Sequence, residues 1–218
     1  MKYDFDQIIS RKETFSTKWL KFTNDDVIPM WRADMDFICP PEITSAMSER
    51  IAQGIFGYSE IPNNLTDVFV DNVKNNTGWS IEKDWVVWIP GGVVGLNVTC
   101  KTILAPGEIA MVPSPIYAPF TEAPENMERG FIKTHLFDSQ GRLEFDMDAI
   151  ETLLTEDTKL FFLCNPQNPG GTVFSEDELK EISKVCKERN IIVCSDEIHS
   201  DLILEEGLKH IPYASLNK

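Results

Sequence analysis

The sequence predicts an α/β fold, in three layers around a mostly parallel sheet. Three observations predict it. Short apolar runs alternate with amphipathic stretches. The stretches between runs are long enough for right-handed crossovers. Capping and turn residues stand where one run hands over to the next.

The elements follow in order. The first 40 or so residues read as an irregular arm rich in aromatics, with Phe15, Trp19, Phe22, Trp31 and Phe37. Pro40-Pro41 opens a helix through Gln53, since proline suits a first turn. A helix over Leu65–Asn75 ends at Gly78. Trp85–Ile89 is an apolar run read as a buried strand, with a helix over Val93–Leu104 behind it. Strands are expected at Ile109–Val112, Phe131–Phe137, Leu160–Cys164 and Ile191–Cys194. Between them come a proline-interrupted helix within 117–129, a short helix capped by Asp146, and a helix opened by the Ser175/Glu178 capping box that runs to Arg189. After Asp201 the pattern fades into a tail.

Composition narrows the function classes. The chain of 218 residues is long enough for one domain with its own core. At 42% hydrophobic and 25% charged residues it is composed as a globular protein rather than a disordered one. A net charge of −15 and a pI near 4.6 repel phosphate backbones and anionic lipid, which argues against nucleic-acid and membrane-surface partners. No apolar run approaches the roughly 20 residues of a membrane span, and Met1–Asp6 carries no apolar signal core. The five cysteines form no CxxC pair and are odd in number. They read as buried free thiols of a cytoplasmic protein, with no spacing for zinc.

Ligands on parallel sheets sit beyond the carboxyl ends of strands, so the polar groups ending each apolar run are the candidates. Four segments qualify. Pro90-Gly91-Gly92-Val93-Val94-Gly95 passes directly into a helix; taken alone it is a turn first and a phosphate cradle second, being neither a P-loop nor GxGxxG. Pro113-Ser114-Pro115-Ile116-Tyr117 holds a tyrosine stiffly after two prolines, suited to packing at the surface or to covering a flat ring. Asn165 to Thr172 contains two Asn-Pro steps and a Gly-Gly, a constrained turn with at least one amide facing the crevice. Ser195-Asp196-Glu197-Ile198-His199 sets three ionisable groups after a buried strand, where a carboxylate must be paired or hydrogen-bonded.

In order and spacing these four segments resemble the fold-type-I pyridoxal-phosphate enzymes, the class I/II aminotransferase superfamily. Asp34-Met35-Asp36-Phe37, Phe56-Gly57-Tyr58-Ser59, Pro166-Gln167-Asn168-Pro169, Ser195–His199 and His210-Ile211-Pro212 narrow the resemblance to the cystathionine β-lyase, or C–S lyase, branch. The resemblance implies pyridoxal 5′-phosphate as cofactor, an amino-acid substrate and a homodimer. It gives Asp196 the pyridine nitrogen, Asn168 and His199 the ring hydroxyl, Tyr117 the ring face, and the backbone of Gly92, Val93 and Val94 the phosphate. Tyr58 would reach the phosphate of the neighbouring subunit. It divides the chain into an arm with part of a small domain (1–45) and a partial cofactor-binding large domain (46–218).

The resemblance also implies a gap. The lysine that joins the cofactor as a Schiff base should follow Asp196 after one more strand, in a Ser-x-Lys type motif. Only 22 residues follow Asp196 (218 − 196), with Lys209 and Lys218 as their only lysines, and neither has that setting. No catalytic residue is therefore assigned. Trp85–Ile89 is expected to lack its partner strand, and the chain to correspond to the N-terminal part of the enzyme, inactive by itself. Implied activity is cleavage of the β carbon–sulfur bond of a cysteine-type amino acid, with aminotransfer as the alternative. A non-catalytic fragment that binds the cofactor weakly or only oligomerises is the reading from another class.

Overall fold

The computed structural model describes residues 3–24 and 26–216. They fall into two units, Met1–Glu60 and Ile61–Lys218.

In the first unit, α1 (Thr17–Leu20) and α2 (Pro41–Ala52) are the only helices among the described residues. What organises the remainder is one carboxylate. Asp36 accepts hydrogen bonds from Lys18 Nζ at 2.7 Å, Trp19 Nε1 at 2.8 Å and Arg11 Nη1 at 2.8 Å. Arg11 also pairs with Asp34 at 2.9 Å, and Trp31 Nε1 donates to the Lys18 carbonyl at 3.1 Å. An irregular segment cannot satisfy its polar groups through a ladder, so charge-assisted side-chain bonds do it instead. The α2 helix presents Ile43, Met47 and Ile51 at four-residue spacing on one face, all exposed.

The second unit begins with α3 (Asn63–Thr77), ended by Gly78 in the left-handed region at φ 73°. Then come α4 (Gly92–Ile103), β1 (Ile109–Ser114), α5 (Pro119–Asn126), β2 (Gly130–Ser139) and β3 (Arg142–Phe145). They are followed by α6 (Met147–Leu153), β4 (Thr158–Cys164), α7 (Glu176–Glu188) and β5 (Ile192–Asp196). A 3-10 turn at Tyr213–Leu216 closes the described chain.

The sheet has the order β3-β2-β1-β4-β5. Pairs β1–β2, β1–β4 and β4–β5 are parallel, and β3 runs antiparallel to β2. The side chains of β4 alternate between two cores, as a strand buried on both faces requires. Phe161 and Leu163 pack with Ile150 of α6 and Leu179, Ile182 and Cys186 of α7. Leu160, Phe162 and Cys164 pack with Leu96 and Cys100 of α4 and Phe120 and Ala123 of α5. The expected three-layer α/β fold is thus present.

Two local features depart from the sequence reading. Trp85–Ile89 is not a buried strand. A 3-10 turn occupies Lys83–Trp85, Val86 is extended, and no strand among the described residues pairs with the segment. Val87 is 78% exposed, while Trp88 packs edge-on against Phe69 and donates to Thr66 Oγ1 of α3. Extended dihedrals without a ladder partner do not make a strand. Conversely, β3 was not expected. It is formed by a two-residue hairpin turn whose residues, Gln140 and Gly141, both have positive φ (55° and 88°), with Asp138 Oδ1 accepting from Gly141 N.

Glu178 joins this hairpin to α7. Its Oε2 accepts from the Ser175 backbone at 2.8 Å, completing the capping box, and both its oxygens accept from the Arg142 guanidinium of β3 at 2.6 and 2.8 Å.

The Asp36 knot gives the first unit a pH dependence. The Lys18 ammonium, with the Trp19 indole and the Arg11 guanidinium, holds the Asp36 carboxyl well below its ordinary 3.8. A depressed carboxyl stabilises above its unfolded value and loses that contribution as pH falls through the folded one. The Trp19 indole N–H resonance should therefore hold its position from neutral pH down to about 4 and shift only below it. In Asp36→Asn that acid transition should be missing; an identical transition in the variant would refute the assignment.

Candidate cofactor site

The carboxyl ends of β1, β4 and β5 and the start of α4 bring the candidate residues to one edge of the sheet. At the start of α4, Gly91 has φ 119° and ψ 157°, a conformation that side-chain-bearing residues rarely adopt. It turns the chain directly into the helix. No side chain caps α4. The amides of Gly92, Val93 and Val94 thus form a first turn with no intrahelical partner, aligned with the positive end of the helix dipole. A Cβ on Gly95 would lie 2.6 Å from Ile89 Cδ1, so glycine there lets the incoming segment lie against the helix.

Beyond β1 the chain runs through Pro115 and Ile116 to Tyr117, which stands just before α5 and is 44% exposed. Beyond β4 comes the Asn-Pro turn. Asn165 is fully buried; its N–H donates to the Asp196 carbonyl at 3.0 Å, and its Oδ1 accepts from Phe174 N at 3.1 Å. The Asn165 Nδ2 is buried without a partner. Asn168 is half-buried, and its side-chain amide makes no hydrogen bond among the described residues.

Gln167, between these asparagines, ties two of the strand ends together. Its Nε2 donates to the Pro115 carbonyl at 2.6 Å and the Asn168 carbonyl at 3.2 Å, and its Oε1 accepts from Gly170 N at 2.5 Å. A Cβ on Gly170 would meet that oxygen at 2.7 Å and Leu143 Cδ1 at 2.4 Å, so any larger residue would have to displace the Gln167 and Leu143 side chains. The sequence reading gave Gln167 no role. The signal available was its place inside a turn with no spare backbone freedom.

Asp196 ends β5. In the β4–β5 register it lies beside Cys164, whose side chain belongs to the core under α4 and α5. Cys194, two residues earlier, packs on the same core, and its Sγ donates to Thr99 Oγ1 of α4 at 3.9 Å. Strand alternation therefore turns the Asp196 carboxylate toward the α4–α5 layer, the side on which Tyr117 and the α4 N-terminus lie. Its Oδ1 accepts from Ile198 N at 3.1 Å. Burial pushes the Cys164 thiol up to about 11, and the Asp196 charge adds to the shift.

Glu197 faces the opposite layer. It accepts from Ser195 Oγ and Tyr213 N on Oε1, and meets His210 Nε2 on Oε2, each at 2.8 Å. This is the paired carboxylate that the cluster of ionisable groups required. His199 lies half-buried in the turn beyond, its carbonyl accepting from Leu202 N at 2.9 Å. Lys209 is exposed on an irregular segment, and Lys218 lies outside the described residues. Tyr58 belongs to the first unit and is fully exposed.

The donor set fits a flat, anionic-tailed ring. Free helix amides await an anion, a ring stands at the layer's surface, an amide has its hydrogen-bonding capacity unspent, and a carboxylate is aimed into the same layer. Fold and site define a cofactor-binding α/β domain of the aminotransferase kind. The chain belongs to the aminotransferase class I and II family, whose model it matches over residues 25–217.

Among curated relatives it is 37% identical to the cystathionine beta-lyase PatB of Bacillus subtilis (strain 168), over 98% of this chain and 56% of that protein. Among solved structures, OvoB superposes with a TM-score of 0.93 at 38% identity, covering 99% of this chain and 57% of that one. Cystalysin from Treponema denticola, whose structure contains pyridoxal 5′-phosphate, superposes with a TM-score of 0.91 at 30% identity, covering 99% and 56%. The chain thus spans a little over half the length of these relatives.

Replacing Gln167 by leucine keeps the volume but leaves the Pro115 carbonyl and the Gly170 N–H without their partner. Urea denaturation should show a loss of about 1–3 kcal/mol. A variant as stable as the wild type would mean that the two strand ends are held by something else.

Proposed function

We propose that these residues form the cofactor-holding part of a pyridoxal-phosphate-dependent C–S lyase of the cystathionine β-lyase type, acting on a cysteine-type amino acid. The observation that carries this reading is the Asp196 carboxylate at the end of β5, turned to the layer that also holds the α4 N-terminus and Tyr117. Relatives named as cystathionine β-lyases and C–S lyases support the choice of reaction. Aminotransfer is the second reading, favoured by the relatives and structures named as aminotransferases.

When bound, the cofactor supplies an electron sink for the negative charge left on the substrate's α-carbon after proton loss. The residues of this chain hold and tune it. Asp196 keeps a proton on the pyridine nitrogen, because an opposite charge at hydrogen-bond distance favours the charged form. The Asn168 amide and the His199 imidazole would hold the ring oxygen. Tyr117 would cover one ring face and exclude water from it. The amides of Gly92, Val93 and Val94 take the phosphate, where the helix dipole favours negative charge. Tyr58, exposed on the first unit, would reach the phosphate held by a second copy in a homodimer. No residue here is assigned to the covalent link or to proton transfer at the substrate.

Placement in the cytoplasm rests on the cysteines. All five are free thiols; Cys39 is exposed, against the expectation of burial, whereas burial pushes Cys100 and Cys164 up to about 11 and Cys186 up to about 12, so those three stay protonated and inert. Among the described residues no helix is long and apolar enough to cross a membrane.

Equilibrium dialysis of the chain against pyridoxal phosphate should show saturable binding, about tenfold weaker in Asp196→Ala, which corresponds to about 1.4 kcal/mol. Borohydride reduction followed by peptide mapping should leave every lysine unlabelled. Label fixed on Lys209 or Lys218 would overturn the statement that this chain contributes no Schiff-base lysine, and non-saturable binding would overturn the cofactor assignment.

A further inference from the structure

Directly after the Asp196 carboxylate, one further acidic group has a full set of partners that the cofactor does not need. Glu197 is the first residue past β5, and its carboxylate is held by residues on the α7 side of the sheet, Tyr213 among them. Its carboxylate collects Ser195 Oγ, Tyr213 N and His210 Nε2, each at 2.8 Å. Those donors come from both sides of the turn that carries Asp196: one from the strand before it, two from residues 210–213. The His210 side chain is only 4% exposed, and its Nδ1 is buried without a partner. Tyr213, 7% exposed, packs in the core with Leu179, Ile182 and Cys186 of α7. The Glu197 anchor is therefore attached to the rigid α7 layer, not to a loose tail.

From this geometry we propose that Glu197 is the positioning residue for Asp196: clamped by Ser195, His210 and Tyr213, it fixes the 195–198 backbone and so the direction in which the Asp196 carboxylate points. The inference rests on the cofactor reading above, which gives that direction its meaning. Two hydrogen bonds orient Asp196: the Asn165 N–H holds its carbonyl to β4, and the Ile198 N–H holds its Oδ1. Glu197, between Asp196 and Ile198, pins that stretch of backbone through its own three contacts. Without the clamp, the peptide following Asp196 is free to rotate. The Oδ1–Ile198 bond is then lost, because that bond closes only over the present backbone turn. A group that orients a ligand from one shell further out typically governs affinity by about 10-fold or more, without touching the ligand.

The test uses the full chain and three variants: Glu197→Ala, Glu197→Gln and His210→Gln. The first removes the clamp. The second keeps an oxygen that accepts from Ser195 and Tyr213, and serves as the conservative rescue. The third loosens one arm and remains available if the first does not fold. The readouts are the amide proton shift of Ile198, which reports its bond to Asp196 Oδ1, and the exchange protection of the Phe161–Leu163 ladder amides, which reports the fold. The ring-nitrogen resonance of 15N-labelled pyridoxal phosphate reports whether that nitrogen keeps its proton.

In Glu197→Ala we expect the Ile198 amide to lose its downfield shift while the ladder stays protected, and in His210→Gln, which keeps the Ser195 and Tyr213 bonds, to lose part of it. Cofactor affinity should fall about 10-fold, the ring nitrogen should move toward its unprotonated position, and Glu197→Gln should recover most of each. An unchanged Ile198 shift in a folded Glu197→Ala or His210→Gln variant overturns the clamp, whether or not the cofactor binds. A lost Ile198 shift with an unchanged ring-nitrogen resonance and affinity overturns its action on the cofactor. Failure of the wild-type chain to bind pyridoxal phosphate counts against the function proposed above, and the Ile198 shift still decides the clamp.

Discussion

The site depends first on the parallel ladder between β4 and β5. Its register sets Cys164 beside Asp196, and the Asn165 N–H extends it one step past the end of β4 by bonding the Asp196 carbonyl. A slip of one residue would turn every β5 side chain to the other face. Asp196 would then point into the α7 layer and Glu197 into the crevice under α4. That register is held by burial rather than by charge. Leu160, Phe161, Phe162 and Leu163 are all essentially inaccessible, and each is committed to one of two different cores. The placement of a polar group thus depends on the packing of apolar ones.

Much of the fold was legible because its signals are local. The capping box at Ser175 and Glu178, the cap at Asp146, the left-handed stop at Gly78 and the fully apolar β4 each state their structure within a few residues. Trp85–Ile89 misled for a physical reason. Apolar composition reports a preference for burial, but a strand also needs a neighbour whose amides meet its carbonyls, and the run itself does not carry that information. The β3 strand failed to register for the opposite reason. It is short and polar, and Gln140-Gly141 is a weaker hairpin signal than Asn-Gly.

The residues proposed for the site stand where the sequence marks the ends of apolar runs, whereas the groups that support them carry no such mark. Asp196, Asn168, Tyr117 and the glycines before α4 all stand at ends of apolar runs, where chain topology exposes them. Gln167 acts on a carbonyl 52 positions away, and His210 on a carboxylate 13 away. No local pattern announces such a pairing. The contrast has a physical basis: ligand-facing groups are placed by strand ends, whereas groups that hold loops together are placed by the tertiary structure those loops complete.

Glu178 illustrates what sharing one group between two elements entails. The same carboxylate starts α7 through Ser175 and fastens β3 through Arg142. The hairpin and the helix thus hold a latch in common, although more than 30 residues of chain separate its two halves. When either element opens, the other loses its fastening, so the pair should open and close as one cooperative unit rather than fray independently. Motion at the far edge of the sheet is thereby coupled to α7, the layer on which Tyr213 rests. The distant hairpin and the anchor behind Asp196 consequently belong to the same mechanical body.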